Sequence, residues 1–244
     1  MAFMNPIVRP ALALIALCFL PLLGAAEGAG PKAVPAKKAV NPSLVAAVDV
    51  PGLPRVLLIG DSISMGYTLP VRARLAGVAN VHRPLENCGD TARGVKSLDQ
   101  WLGNAKWDVI HFNFGLHDLK YLDAKGNLAA PGPGKQVASA AEYEKNLRLI
   151  VARLKQTGAT LIYATTTPVP AGTTGRLEND DRAYNVIAVR VMRESGVAVD
   201  DLNAFVAPRQ AAIQLPKNVH FSAAGYDQLA DAVVASLRPK LPAK

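Results

Sequence analysis

From residue 55 onward, short continuous apolar runs alternate with longer segments in which apolar residues recur every three or four positions. The short runs are residues 56–59, 80–82, 108–114, 160–166 and 197–200, each rich in β-branched or aromatic residues and bounded by turn formers. Each predicts a strand. Between them lie helical patterns at 71–75, 95–102, 141–156, 181–194, 202–213 and 223–237. The clearest is 141–156, where Tyr143, Leu147, Ile150, Val151 and Leu154 share one face and Thr157-Gly158 supplies a C-terminal cap. Gly196 stops the next helix, and Ser222 is placed to cap the last.

Strands alternating with helices predict a parallel sheet covered on both faces. Right-handed crossovers make this a three-layer α/β/α doubly wound fold, mainly a five-stranded parallel sheet. Ligands in such folds sit beyond the C-terminal ends of the strands. Ser62 and His117 fall just after predicted strands, so the fold alone brings both to one edge. His220 lies in a loop before the last helix, where periodicity does not place it.

The chain ahead of residue 55 reads differently. Arg9 precedes a 13-residue apolar run, 11–23, followed by the small residues Gly24-Ala25-Ala26. This predicts a signal peptide over 1–26 and a periplasmic or secreted protein. A membrane span needs about 20 apolar residues, so no membrane attachment is expected after cleavage. Cys18, inside the run, raises a lipoprotein signal, but bulky Leu17 precedes it where such signals carry a small residue. Residues 27–54 hold Pro31, Pro35, Pro42, Pro51 and Pro54 with no periodic apolar face, and predict a mostly disordered linker. The folded domain is then expected over 55–244.

Lys and Arg outnumber Asp and Glu 27 to 19 among 244 residues. The basic residues are dispersed, with no run longer than two, so the excess predicts a solvated surface and no nucleic-acid partner. Beyond the signal only Cys88 remains, so no internal disulfide is expected; a small buried packing residue is its simplest reading. No Cys/His or acidic cluster has metal-ligand spacing, and no phosphate-binding glycine loop occurs, so no cofactor or metal is expected. Absence of a Gly-x-Ser-x-Gly elbow argues against the α/β-hydrolase pattern.

Four segments carry candidate chemistry. Gly60-Asp61-Ser62 places a serine hydroxyl at a strand-to-helix turn, where helix N-terminal amides can face an oxyanion; a serine there is also an ordinary helix cap. Asn87-Cys88-Gly89-Asp90-Thr91 offers a glycine amide, or simply a turn before a helix. Gly115-Leu116-His117-Asp118 follows the third strand. Asn218-Val219-His220 supplies a late histidine, the best candidate base among four histidines in all.

In order and spacing these segments resemble the four blocks of the SGNH hydrolases, also called the GDSL esterase/lipase superfamily, over roughly residues 55–237. The resemblance implies a serine esterase with Ser62 as nucleophile and His220 as base. It implies an oxyanion hole formed by the amides of Ser62 and Gly89 and the residue at position 117. There the family's asparagine is replaced by His117, which as a neutral imidazole still donates one hydrogen bond; Asn113 or Asn87 is the substitute donor. Asp118 is expected to anchor its turn, and Asp61 to support the nucleophile. The family's aspartate three residues before the histidine is here Lys217, which accepts no hydrogen bond. The resemblance therefore implies a Ser-His dyad, with a backbone carbonyl of the 215–218 loop accepting from His220 Nδ1. The alternatives, Asp200 or Asp201, stay open, although Asp201 is more simply a helix cap.

The expected partner is a small-molecule or carbohydrate ester with a small, acetyl-sized acyl group. A thioesterase or lysophospholipase is the rival enzyme. A non-catalytic carbohydrate-binding module with a decayed site is the rival from another class. The Gly/Pro-rich segment 120–136 is either a lid beside the site or a surface excursion.

Overall fold

The computed structural model describes residues 40–242. The signal-peptide expectation for 1–26, with Cys18, and the first part of the 27–54 segment lie outside them.

Five strands form one parallel sheet: β1 (Arg55–Ile59), β2 (Asn80–His82), β3 (Val109–Phe112), β6 (Thr160–Ala164) and β7 (Ala198–Asp200), in the order β2-β1-β3-β6-β7. Every residue of β3, and all of β1 after Arg55, is buried. Layers on both faces require this, and it is why these strands read as unbroken apolar runs. Helix α1 (Ser62–Arg74) packs on α7 (Ala223–Leu237), and α3 (Ala140–Lys155) lies between α2 (Thr91–Leu102) and α4 (Asp180–Ser195). The chain runs outward from β1 to β2 and returns across β1 to β3. The switch point of the sheet therefore falls between the C-terminal ends of β1 and β3, where this topology opens a crevice.

Four elements differ from expectation. Residues 40–54 are docked on the domain, although their composition predicts a disordered linker. Pro42–Leu44 forms a 3-10 turn capped by Asn41, and buried Asn80 bonds Val50 and Leu53 through its side chain. Buried side-chain amides can order a segment that lacks any apolar periodicity. The helix expected over 202–213 is broken into α5 (Leu202–Val206), a 3-10 turn (Ala207–Arg209) and α6 (Gln210–Ile213), because Pro208 has no N–H to continue the ladder. Helix α1 begins nine residues before the apolar pattern at 71–75. Its first half carries Gly66, where a Cβ would sit 2.1 Å from Tyr226 of α7, so close helix approach excludes the side chain that periodicity looks for. The 120–136 segment folds back on itself as a small antiparallel pair, β4 (Tyr121–Leu122) and β5 (Lys135–Gln136).

Among the described residues no helix is long and apolar enough to cross a membrane.

Candidate active site

β1 ends at Ile59, and Asp61 starts α1 by accepting the Ile63 N–H at 2.9 Å. This cap forces the chain to turn sharply and places Ser62 at the first helical position. There its N–H has no partner within the helix, and the helix dipole is positive. Ser62 Oγ lies 2.8 Å from His220 Nε2. The pair spans 158 residues of chain, joined because β1 ends at the switch point while the loop ahead of α7 folds back over it.

The His220 loop is tightly closed. Leu215 N–H donates to His220 O at 2.9 Å, and the Gln214 side-chain amide donates to Pro168 O and Val219 O. Asn218 Oδ1 accepts from the backbone N–H of His220 at 3.0 Å and faces its ring Nδ1 at 2.8 Å. A backbone N–H only donates, so the shared Asn218 atom is the oxygen, and Nδ1 carries the ring proton. Nε2 is then left with its lone pair toward the Ser62 hydroxyl. The acceptor is a side-chain amide, where a backbone carbonyl was expected: the Asn218 side chain closes an Asx turn and reaches the ring first. Asp200 is not the acceptor; it pairs with buried His111 at 2.9 Å. Asp201 caps α5, accepting the Ala204 N–H. Desolvation lowers the His220 pKa, with Arg176 adding to the shift and Asp61 opposing it.

His117 occupies the opposite tautomer. Lys120 Nζ lies 3.2 Å from His117 Nδ1. An ammonium only donates, so Nδ1 accepts and Nε2 holds the proton. Burial lowers the His117 pKa, and the charges of Lys120 and Arg176 lower it further, against Asp61 and Asp90. A histidine at the asparagine position is thereby kept as a neutral donor.

Two expected oxyanion donors are engaged elsewhere. Gly89 N–H donates to Asn87 Oδ1 at 3.0 Å, with Gly89 in the left-handed region at φ 68°. That bond identifies the Asn87 oxygen and leaves the Asn87 Nδ2 hydrogens free on a side chain that lines the cleft. Asn113 Nδ2 donates to Ala164 O at 2.8 Å, tying the end of β3 to β6. Asp118 is fully buried; its Oδ1 accepts from the N–H and hydroxyl of Thr91 at 2.9 and 2.5 Å, fastening the 115–118 turn to α2. Cys88 is buried with its thiol pushed up to about 12 by desolvation, so it is a packing residue.

Sequence reasoning missed Arg83. Buried behind the nucleophile turn, it donates to Gly60 O and Glu86 O through Nη2, to Ser64 and Thr68 through Nη1, and to Pro84 O through Nε. It binds the Ser62 turn to the loop carrying Asn87 and Gly89. Among the sequence features only its position directly after a strand hinted at burial.

These groups face a cleft of about 450 Å³. Ser62, Asn87, His117, Asn218 and His220 share its wall, and Leu122 and Leu128 of the β4–β5 hairpin close one side. The 120–136 segment thus flanks the site. Among the described residues no cluster of three or more His, Cys, Asp or Glu is placed to hold a metal ion.

The model of the GDSL-like Lipase/Acylhydrolase family matches residues 58–228, a stretch that contains every group just described. The chain belongs to this family. It is an esterase or acylhydrolase of the GDSL type. Solved structures of the same fold include a lipase/acylhydrolase from Enterococcus faecalis, with a TM-score of 0.64 at 20% identity, covering 79% of this chain and 99% of that one. Axe2, an acetylxylan esterase from Geobacillus stearothermophilus, gives 0.62 at 19% identity, covering 76% and 94%. The acetyl xylan esterase AlAXEase gives 0.62 at 14%, covering 75% and 99%. No curated protein sequence matches significantly. This GDSL hydrolase therefore shares its architecture with esterases from which its sequence has diverged widely.

Proposed function

We propose that this protein is an exported esterase that removes small acyl groups, acetyl above all, from carbohydrate through an acyl-enzyme on Ser62. The 2.8 Å contact between Ser62 Oγ and His220 Nε2 carries the reading. Serine becomes a competent nucleophile only where a base takes its proton in the transition state. In the first half-reaction Ser62 Oγ bonds to the ester carbonyl carbon while His220 Nε2 takes the hydroxyl proton. The oxyanion that forms faces the Ser62 N–H, the His117 Nε2–H and the Asn87 amide, whose orientation the Gly89 N–H maintains. The tetrahedral species collapses, and His220 returns the proton to the leaving alcohol oxygen. In the second half, water gives a proton to His220 and attacks the acyl carbon, and Ser62 leaves with that proton.

A small acyl group fits a cleft of about 450 Å³ in which polar wall residues outnumber apolar ones. The acetylxylan esterases among the structural relatives support a carbohydrate ester. Export rests on the basic residue, apolar run and small residues of the first 26 positions.

Two measurements test the reading. A fluorophosphonate probe should label the wild type and not Ser62→Ala; an unlabelled wild type favours a binding module. A series of p-nitrophenyl esters should show turnover falling as the acyl chain lengthens. Palmitoyl turnover as fast as acetyl turnover favours a lysophospholipase or thioesterase.

A further inference from the structure

The cleft wall carries three cationic side chains, Lys120, Arg176 and Lys217, against one carboxylate, Asp61. Asp61 offsets one of these charges and forms an ion pair with none of them, which leaves the wall with an excess of two positive charges. Its Oδ1 caps α1, and its Oδ2 is buried without a partner. Among the described residues none of the three cations forms an ion pair, whereas Arg74, Arg93, Arg148, Arg153 and Arg190 on other surfaces each hold a carboxylate.

The fold orients the guanidinium of one of these cations and places the backbone and stem of another, which is exposed. Arg176 is half-buried, and its Nε donates to Leu116 O at 3.0 Å, which orients the guanidinium and leaves the Nη groups as a planar fork. Lys217 holds a left-handed backbone at φ 54°, one of only two non-glycine residues with positive φ among those described. Such a conformation costs free energy and persists where the surroundings impose it. Its stem lies along Gly172, where a Cβ would come within 3.2 Å of Lys217 Cγ. Gly172 thus leaves the groove that seats the lysine stem beside His220. An orienting aspartate is absent at position 217, and a positioned cation stands there instead.

We propose that the substrate is an anionic saccharide ester, whose carboxylate or sulfate is held by Arg176 and Lys217 while its acyl group reaches Ser62. The inference rests on the esterase reading given above and adds the charge of the substrate. Unpaired cations along one cleft wall concentrate anions, and an arginine fork matches a carboxylate or sulfate with two parallel hydrogen bonds.

The test compares acetylated oligosaccharides of uronate units with the same chains neutralised as methyl esters, and with acetylated sulfated chains. Wild-type kcat/KM should favour an anionic form by about tenfold at low salt, with the preference shrinking toward unity near 1 M salt, where the Debye length is about 3 Å. Whichever anionic chain is preferred identifies the group. Arg176→Gln and Lys217→Gln should each lower the anionic-to-neutral ratio. Because Arg176→Gln can perturb the fold through the lost Leu116 contact, Lys217→Gln and the salt series stand independently of it. Binding of the same chains to Ser62→Ala is read by calorimetry, apart from catalysis. Charge-selective binding without turnover in the wild type supports the anion site and overturns the esterase reading. Turnover with no preference for anionic chains, unaffected by salt, overturns the anion site and leaves the esterase reading standing.

Discussion

A single oxygen of Asn218 holds both the backbone N–H and the ring Nδ1 of His220, at 3.0 and 2.8 Å. A neutral amide thus does the orienting that a carboxylate does in many serine hydrolases. It selects the tautomer without adding a charge to stabilise the imidazolium. Asn218→Ala removes the acceptor and leaves the ring free to adopt the wrong tautomer, and kcat is expected to fall by about 10- to 100-fold with little change in KM. Asn218→Asp keeps the geometry and adds a negative charge. It should raise the His220 pKa and move the acid limb of the pH profile upward. Equal acid limbs in the wild type and Asn218→Asp would show that Asn218 does not face the titrating base.

The acid limb itself is a second prediction. Desolvation lowers the His220 pKa, with Arg176 contributing in the same direction. The base works only when neutral. With its pKa below the ordinary histidine value of about 6.5, it loses its proton at lower pH. kcat/KM should therefore rise with pH along an acid limb whose midpoint lies below about 6.5, a more acidic limb than an unperturbed histidine gives. A midpoint clearly above 6.5 would contradict the burial of this ring.

His117 and Lys120 yield a third. The ammonium at 3.2 Å from Nδ1 makes His117 a donor through Nε2. If that proton faces the oxyanion, His117→Ala should lower kcat by roughly 10²- to 10³-fold, as for other lost oxyanion donors. His117→Asn, which restores a side-chain amide donor, should recover much of the loss. Lys120→Met should also cost activity, by letting Nδ1 take the proton. Equal activity of His117→Ala and His117→Asn would remove His117 from the oxyanion site.

Much of this molecule is legible in its amino-acid sequence. Strands buried on both faces leave unbroken apolar runs, which is why all five strands of the parallel sheet were found. Ser62 and His220 stood in segments whose order carries the family pattern. Other features left no periodic trace. Gly66 and Pro70 interrupt the apolar stripe of α1, because the helix is held there by close approach to Tyr226 and not by a hydrophobic ridge. Arg83 looks like any surface arginine until its five donors are seen to be satisfied by backbone and hydroxyl oxygens. The Asn218 and Asn87 turns share one signature, a side-chain oxygen bonded to the N–H two residues on. That spacing is present in Asn218-Val219-His220, although the absence of an aspartate at position 217 makes a backbone acceptor the simpler expectation.

Asp118 gives a stability test separate from catalysis. Its carboxyl is fully buried, one oxygen accepting from Thr91 and the other without a partner. Desolvation pushes its pKa up to about 7, against the Thr91 bonds that lower it. An unfolded chain holds this carboxyl near 3.9. Between about pH 4 and pH 7 the folded state binds the proton and the unfolded state does not, so this group's contribution to stability is full below that window, declines as pH rises through it, and levels off above. Asp118→Asn keeps an oxygen for Thr91 and does not titrate. Urea denaturation at pH 4.5 and 7.5 should show the wild type losing stability relative to Asp118→Asn as pH rises. Asp118→Ala, which orphans the Thr91 N–H and hydroxyl, should be destabilised by about 1–3 kcal/mol at both pH values. Parallel pH profiles for the wild type and Asp118→Asn would mean that Asp118 is ionised throughout, and that the Thr91 bonds outweigh its burial.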